Sequence, residues 1–336
     1  MRCLAPLAGV VAVEYLPEYR RGKLNNLMVC RSPWMCPLCA SLISERRRSD
    51  LQAMTRAARG KDLRVVMITL TFSHRRADVL SDVLERLLAA VRAMMSHRTY
   101  QSIKARYAFV GFTKALEVTW GQANGWHPHC HILLYLPIEE DDMDSLAHAL
   151  RVCWVAALRH QGLTCNDHGF RLDDTNQAVA DYVAKFGHER SWDEAAELTK
   201  SHIKRGRAGS LTPWDLLRMS ADGDKQASAL FVQYAQSFKG RSQVRSTPRL
   251  RELLLGAPER SDEDLLEDSD TLALLLALVT PQGWRQVCHA GARASIQLAA
   301  DSADGATVHQ ALLDAGVNAD DIRAMITIYK GSLVPF

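Results

Sequence analysis

An α+β fold is predicted by three observations: short β-branched runs, amphipathic stretches with helical spacing between them, and an Asn-Gly turn signal joining two of the runs. Arg64 to Phe72 (RVVMITLTF) reads as a strand with Thr69 and Thr71 on one face and Val66 and Ile68 on the other. From Ser81 to about Met95, Val83, Leu84, Leu87, Leu88, Val91, Met94 and Met95 recur at helical spacing, with Ser81 as the N-cap. Tyr107 to Val118 reads as one strand or two shorter ones and His129 to Leu136 as another, with Asn124-Gly125 turning the chain between them. After the acidic run Glu139 to Asp144, a second helix continues to about His160 on a stripe of Met143, Leu146, Leu150, Cys153 and Ala157. A third helix spans about Asp174 to Phe186, and the pattern beyond Thr212 is again helical, through Ala227 to Phe238 and Arg249 to Leu255. Ala257 to Asp270, with Pro258 and seven carboxylates after it, reads as a linker. The last 66 residues read as a small helical appendage. The expected organisation is therefore an N-terminal segment 1–60, a main domain 61–256, and an acidic linker with a helical tail, 257–336.

The net charge of +3 over 336 residues conceals blocks. Residues 1–130 carry 20 Lys/Arg against 9 Asp/Glu, a balance of +11; 131–200 sum to −7, 201–251 to +7 and 252–336 to −8. A basic block beside acidic ones suggests a polyanionic partner at one face. No apolar run reaches the ~18 residues a membrane-spanning helix needs. The longest, Cys3 to Val13 and Leu272 to Val279, are too short, and the first reads as folded chain rather than a signal peptide.

Eight cysteines are present, three of them within ten residues: Cys30-Arg-Ser-Pro-Trp-Met-Cys36-Pro-Leu-Cys39. The C-x5-C-x2-C spacing brings thiolates close enough for tetrahedral zinc, or else for buried free thiols in a turn. A fourth ligand is not evident; Cys3 is the nearest unassigned upstream thiol. Arg46, Arg47 and Arg48 follow, then Arg56, Arg59 and Lys61, so a knuckle leading into a basic, DNA-facing helix is expected.

Trp126-His-Pro-His-Cys-His131 carries the chemistry. On a strand His129 and His131 share a face while Cys130 and Ile132 take the other, so two imidazoles can bind one ion. If the hairpin turns about Asn124, partners sum to 248 and Glu117 stands opposite His131 as a third ligand. Two His and one carboxylate leave coordination positions open, as a catalytic site requires. His127 is less secure, because Pro128 interrupts the strand. In the third helix, Tyr182 and Lys185 are three residues apart and share a surface, where a nearby cation makes a phenolate less costly.

In order and spacing, three motifs resemble the rolling-circle replication initiators, the Rep proteins of small plasmids within the HUH endonuclease superfamily. They are Ile68-Thr-Leu-Thr-Phe-Ser-His74, Trp126-His-Pro-His-Cys-His131 and Tyr182-Val-Ala-Lys185. Cys30 to Arg48, Thr212 to Leu217 and Lys239 to Arg241 look like the family too, so the resemblance covers roughly Cys30 to Leu255. It implies a mostly antiparallel sheet with the His pair on a central strand and the tyrosine helix laid across it. It implies Mg²⁺ or Mn²⁺ on Glu117, His129 and His131, and attack by Tyr182 on single-stranded or cruciform origin DNA. A 5′-phosphotyrosine link and a free 3′-hydroxyl would result, with Lys185 stabilising charge. Host polymerase and helicase would be partners in a bacterial cytoplasm, with no membrane involved. The chain departs from relatives that place a glutamate one turn before the nucleophile: Ala178 stands there, with Asp181 facing away and Asp174 two turns back. Tyr234 as a second nucleophile is less expected than Tyr234 as a packing residue. A transposase or mobilisation relaxase, and a non-catalytic origin-binding regulator with a structural metal, are the other readings.

Overall fold

Antiparallel pairing organises both halves of the chain. A computed structural model describes residues 9–138, 142–174, 210–261, 264–265 and 272–330, the last seven of these as backbone. It divides into two compact units, one built from 9–49 with the described part of 260–330, the other from 50–174 and 210–259.

The second unit holds a six-stranded sheet. Its central strand is β5 (Gly125–Pro137), flanked by β3 (Leu63–Leu70) and β4 (Gly111–Gly121). β6 (Phe170–Asp173) adds to the outside of β3; β7 (Ser210–Leu211) and β8 (Val244–Ser246) add to different stretches of β4, and every pair is antiparallel. β5 changes character along its length. His127, His129 and His131 alternate with the buried Pro128, Cys130 and Ile132, whereas Leu133 to Leu136 are all buried. The sheet is thus covered on both faces at one end and open on one face at the other. Over the covered end, Leu133 and Tyr135 pack with Leu51, Met54, Val65, Met67, Ala115 and Leu250. Helix α2 (Leu80–Ser96) buries Leu80, Val83, Leu84, Leu87, Leu88, Val91 and Met94, the stripe its spacing predicts. It begins one residue before Ser81, at a Val79 cap without a side-chain hydrogen bond, and Ser81 Oγ donates to Asp82 instead. Helix α3 (Arg98–Arg106) ends at Tyr107, so β4 starts at Gly111 rather than at Tyr107. Helix α4 (Met143–His160) buries the expected stripe. Thr212 opens α5 (Pro213–Ala221) with a capping box to Asp215, and α6 (Lys225–Phe238) follows.

The first unit corrects two expectations. The carboxyl-terminal region is helical over Pro281–His289, Arg293–Asp301 and Gly305–Asp314, as expected, but it is not a separate tail: β9 (Leu272–Val279) pairs with β1 (Val11–Leu16) and with β10 (Ile322–Lys330), giving the order β10-β9-β1-β2 with β2 (Arg21–Asn25). The eight apolar residues of β9 fit a buried strand or a helix segment equally by periodicity, and their Leu/Ala content pointed to helix. Pairing with β1 decides for strand. Val11, Val13, Leu276, Ala277, Trp284, Ile296, Val308 and Leu312 form the core beneath this sheet.

The arginines of α1 (Pro37–Arg59) are the second correction. Cys39, Ile43, Arg46 and Arg47 fall three or four apart on one helix face, and that face is buried. Arg46 is fully enclosed with its guanidinium 5.1 Å from the Tyr19 ring centroid, and Arg48 pairs with Glu45 at 2.6 Å. Glu45 also lies 3.9 Å from Arg21. Arg46 and Arg47 are therefore buried inside the unit and not presented to a DNA partner; Arg56, Arg59 and Lys61 stay exposed. Among the described residues no helix is long and apolar enough to cross a membrane.

Candidate metal centre

The β4–β5 hairpin sets the site. Its loop is three residues, 122–124, so Gly121 pairs with Gly125 and Glu117 with His129. Gly125 has φ +73°, and a Cβ there would fall 2.7 Å from the Arg76 carbonyl oxygen, so close approach of the 73–78 loop requires glycine. Partners sum to 246, not 248, and the expected cross-strand pairing of Glu117 with His131 is corrected by two residues. A shift of two preserves the face. Glu117 still reaches His131 along the diagonal, with Oε2 2.8 Å from Nε2. On the other side, β3 places Thr69 directly across from His131, with Oγ1 3.1 Å from Nδ1. Both ring nitrogens of His131 are thereby fixed.

The imidazoles form a row. The His129 and His131 rings are nearly parallel at 6.0 Å, and His127 meets His129 edge-on at 4.2 Å. His74, from the loop after β3, meets His127 with Nε2 2.5 Å from Nδ1. Burial, and then the neighbouring imidazoles, lower His127 and His129 to about 4; burial also lowers His74. These rings are neutral near pH 7, the form that offers a lone pair to a metal. Burial alone would raise the Glu117 carboxyl, but the hydrogen bond and charge of His131, and then the charge of His129, hold it below its ordinary value. His129 Nδ1 is buried with no hydrogen-bond partner, an orphaned donor group of the kind a bound ion satisfies. A cavity of 770 Å³ opens on His74, His127 and His129, with Asn166 and His168 also on its wall. Glu117 and His131 are in direct contact and His129 shares their face, but the ligand atoms of the three are not all within 4.8 Å of one another; oxygen with imidazole nitrogen is the donor chemistry a divalent cation takes.

The wall beyond the histidines is held by Trp154, whose indole N–H donates to the carbonyls of Thr71 (3.1 Å) and Gly169 (2.9 Å). Gly169 admits no side chain, because a Cβ would fall 2.2 Å from that of Cys165. The 166–171 wall is not evident from spacing, because it reaches the site through pairing; Thr69 and His74 belong to the Ile68–His74 motif, but their approach to His131 and His127 follows only from the fold.

In the first unit, Cys30, Cys36 and Cys39 have ligand atoms within 4.8 Å of one another, the one such group of three or more among the described residues. Cys30 Sγ and Cys39 Sγ are 3.7 Å apart. Tetrahedral zinc with Zn–S of ~2.3 Å gives an S···S edge of about 3.8 Å, whereas a disulfide is ~2.05 Å. The triad fits zinc, packed against Ile43 and Leu265. Cys3, Ala178, Asp181, Tyr182 and Lys185 lie outside the described residues. Tyr234 is buried, its ring against Phe231 and Phe238, in a packing position.

Residues 21–140 match a family model described as "Replication protein", a stretch that contains the three clustered cysteines, Glu117, His129 and His131. The chain is 26% identical over 371 aligned residues to "Protein rep" of Streptomyces lividans, covering 89% of this chain and 80% of that protein. It is 24% identical over 133 residues to "Neomycin resistance protein" of Streptomyces cyanogenus, covering 32% and 30%. No solved structure matches the chain. The family match and the longer of the two alignments together support a replication-protein family for this chain.

Proposed function

We propose that the protein is a plasmid replication initiator that nicks single-stranded or cruciform origin DNA with Tyr182 as nucleophile. The observation that carries this reading is the 2.8 Å approach of Glu117 Oε2 to His131 Nε2, with His129 on the same face at the edge of a cavity. Glu117, His129 and His131 would hold Mg²⁺ or Mn²⁺, and that ion would supply charge neutralisation at the scissile phosphate. With Nε2 of His131 used as a ligand, Nδ1 carries the proton and donates it to Thr69 Oγ1, fixing tautomer and ring orientation.

Tyr182 Oη forms a bond to phosphorus as the P–O3′ bond breaks; the phenol loses its proton to solvent and the 3′-oxygen gains one. A 5′-phosphotyrosyl link and a free 3′-hydroxyl result, the latter a primer for a host polymerase advancing behind a helicase. Lys185, three residues after Tyr182 in the sequence, stabilises the developing phenolate. Cys30, Cys36 and Cys39 would hold a structural zinc ion beside the start of α1.

The test is incubation with single-stranded origin DNA and Mn²⁺ followed by denaturing electrophoresis. A shifted protein–DNA adduct is expected, absent from Tyr182→Phe. An adduct that survives that substitution removes Tyr182 from the reaction.

A further inference from the structure

The proposed nicking chemistry leaves two nitrogen donors unused. His74 and His127 are 53 residues apart in sequence and come from different elements, yet Nε2 of one lies 2.5 Å from Nδ1 of the other. Their ring centroids are 4.8 Å apart and the planes tilted by 45°, so the rings meet nitrogen to nitrogen and do not stack. Neither position is loose. Ser73 N donates to Thr164 O at 2.8 Å and Arg75 N to Asp78 Oδ2 at 2.8 Å, bracketing His74, while His127 is fixed by the pairing of β5 with β4 opposite Thr119. Both rings line the 770 Å³ cavity.

The contact is a hydrogen bond in which one ring nitrogen donates and the other accepts, so a single proton lies between two imidazole nitrogens and a metal ion would take its place. A divalent ion ~2.0–2.1 Å from each nitrogen requires them to open to about 3.3 Å in tetrahedral geometry, a small rotation of either ring. The Glu117–His131 pair lies at the far end of the imidazole row, with the His129 ring between, so one ion cannot serve both ends.

We propose that His74 Nε2 and His127 Nδ1 bind a second divalent transition-metal ion whose remaining coordination positions face the cavity. A donor pair made only of imidazole nitrogen selects Co²⁺, Ni²⁺ or Zn²⁺ and rejects Mg²⁺. This inference is independent of the nicking reaction.

The test strips the full-length chain with chelator, saturates it with Zn²⁺ and Co²⁺, removes free metal, and counts both ions per chain by mass spectrometry. His74→Ala and His127→Ala are each expected to carry one ion fewer than the unaltered protein, and circular dichroism melting establishes that they remain folded. His131→Ala is expected to keep this ion and lose the one at Glu117; if it loses none while His74→Ala does, the Glu117 site fails and the present proposal stands. In His131→Ala, where the Glu117 site is disabled, Co²⁺ should shift the ring-proton resonances of His74 and His127 in a paramagnetic NMR titration that Mg²⁺ leaves unchanged. Unaltered stoichiometry in both alanine variants, or silent His74 and His127 resonances, overturns the proposal.

Discussion

The cysteine triad of the first unit and the histidine face of the second are built in opposite ways. Cys30, Cys36 and Cys39 come from one stretch of ten residues at the start of α1, offer one kind of donor, and are enclosed by Ile43 and Leu265. Glu117, His129 and His131 come from two strands, with His131 held by Thr69 on a third; they mix oxygen with nitrogen, and His129 lines a cavity. A closed set of soft donors suits an ion that holds structure; an open set of harder donors suits one that meets substrate. The difference teaches where each site is specified. The triad depends on local spacing, the histidine face on strand register and the pleat.

The comparison breaks most sharply if the histidines are removed. His129→Ala with His131→Ala is expected to abolish the DNA adduct on denaturing gels while leaving the zinc content of the protein unchanged. Cys36→Ser is expected to do the converse. Metal analysis should show zinc lost, and denaturant melts should show a destabilisation of about 4 kcal/mol or more, the range in which loss of a bound metal falls. Adduct formation should persist wherever the protein remains folded.

A smaller effect sharpens the contrast within the histidine face. Thr69→Val removes the 3.1 Å contact to His131 Nδ1 and should weaken Mn²⁺ binding by about 10–100-fold in calorimetric titration, with no change at the cysteines. The smallest is a pH effect. Folded His127 and His129 are held at about 4, against ~6.5 in the unfolded chain. Between pH 6.5 and 4 the unfolded chain takes up protons that the folded chain does not, so stability falls as pH drops through that window and is unaffected above it. Melting temperatures of metal-free protein at pH 7, 6 and 5 should decline in that order, and less so in His127→Ala.

How much of this was legible follows from where each feature is specified. The alternation of His129 and His131 with Cys130 and Ile132 is a period-two pattern, and it places both imidazoles on the open face of β5 as expected. Glu117 was found by counting across a hairpin; the loop was one residue off centre, and the parity of the pleat kept the carboxylate on the right face. Parity protects a face but not a partner. The charge of Arg46 and Arg47 suggests solvent, and only their helix phase with Cys39 and Ile43 shows that they turn inward. β9 is not legible as a strand because its pairing partner β1 lies more than 250 residues away, beyond the reach of any local pattern. His74 was visible as the end of a motif, but its approach to His127 depends on the folding of the 73–78 loop against Gly125.

The most direct measurement is an anomalous-difference map from crystals of the full chain equilibrated with Mn²⁺. A peak among Glu117 Oε2, His129 and His131, with the cysteine triad occupied by zinc instead, is the expected result. Manganese absent from that position, with Glu117 and His131 still joined only by their hydrogen bond, would contradict the assignment of this face as the divalent site.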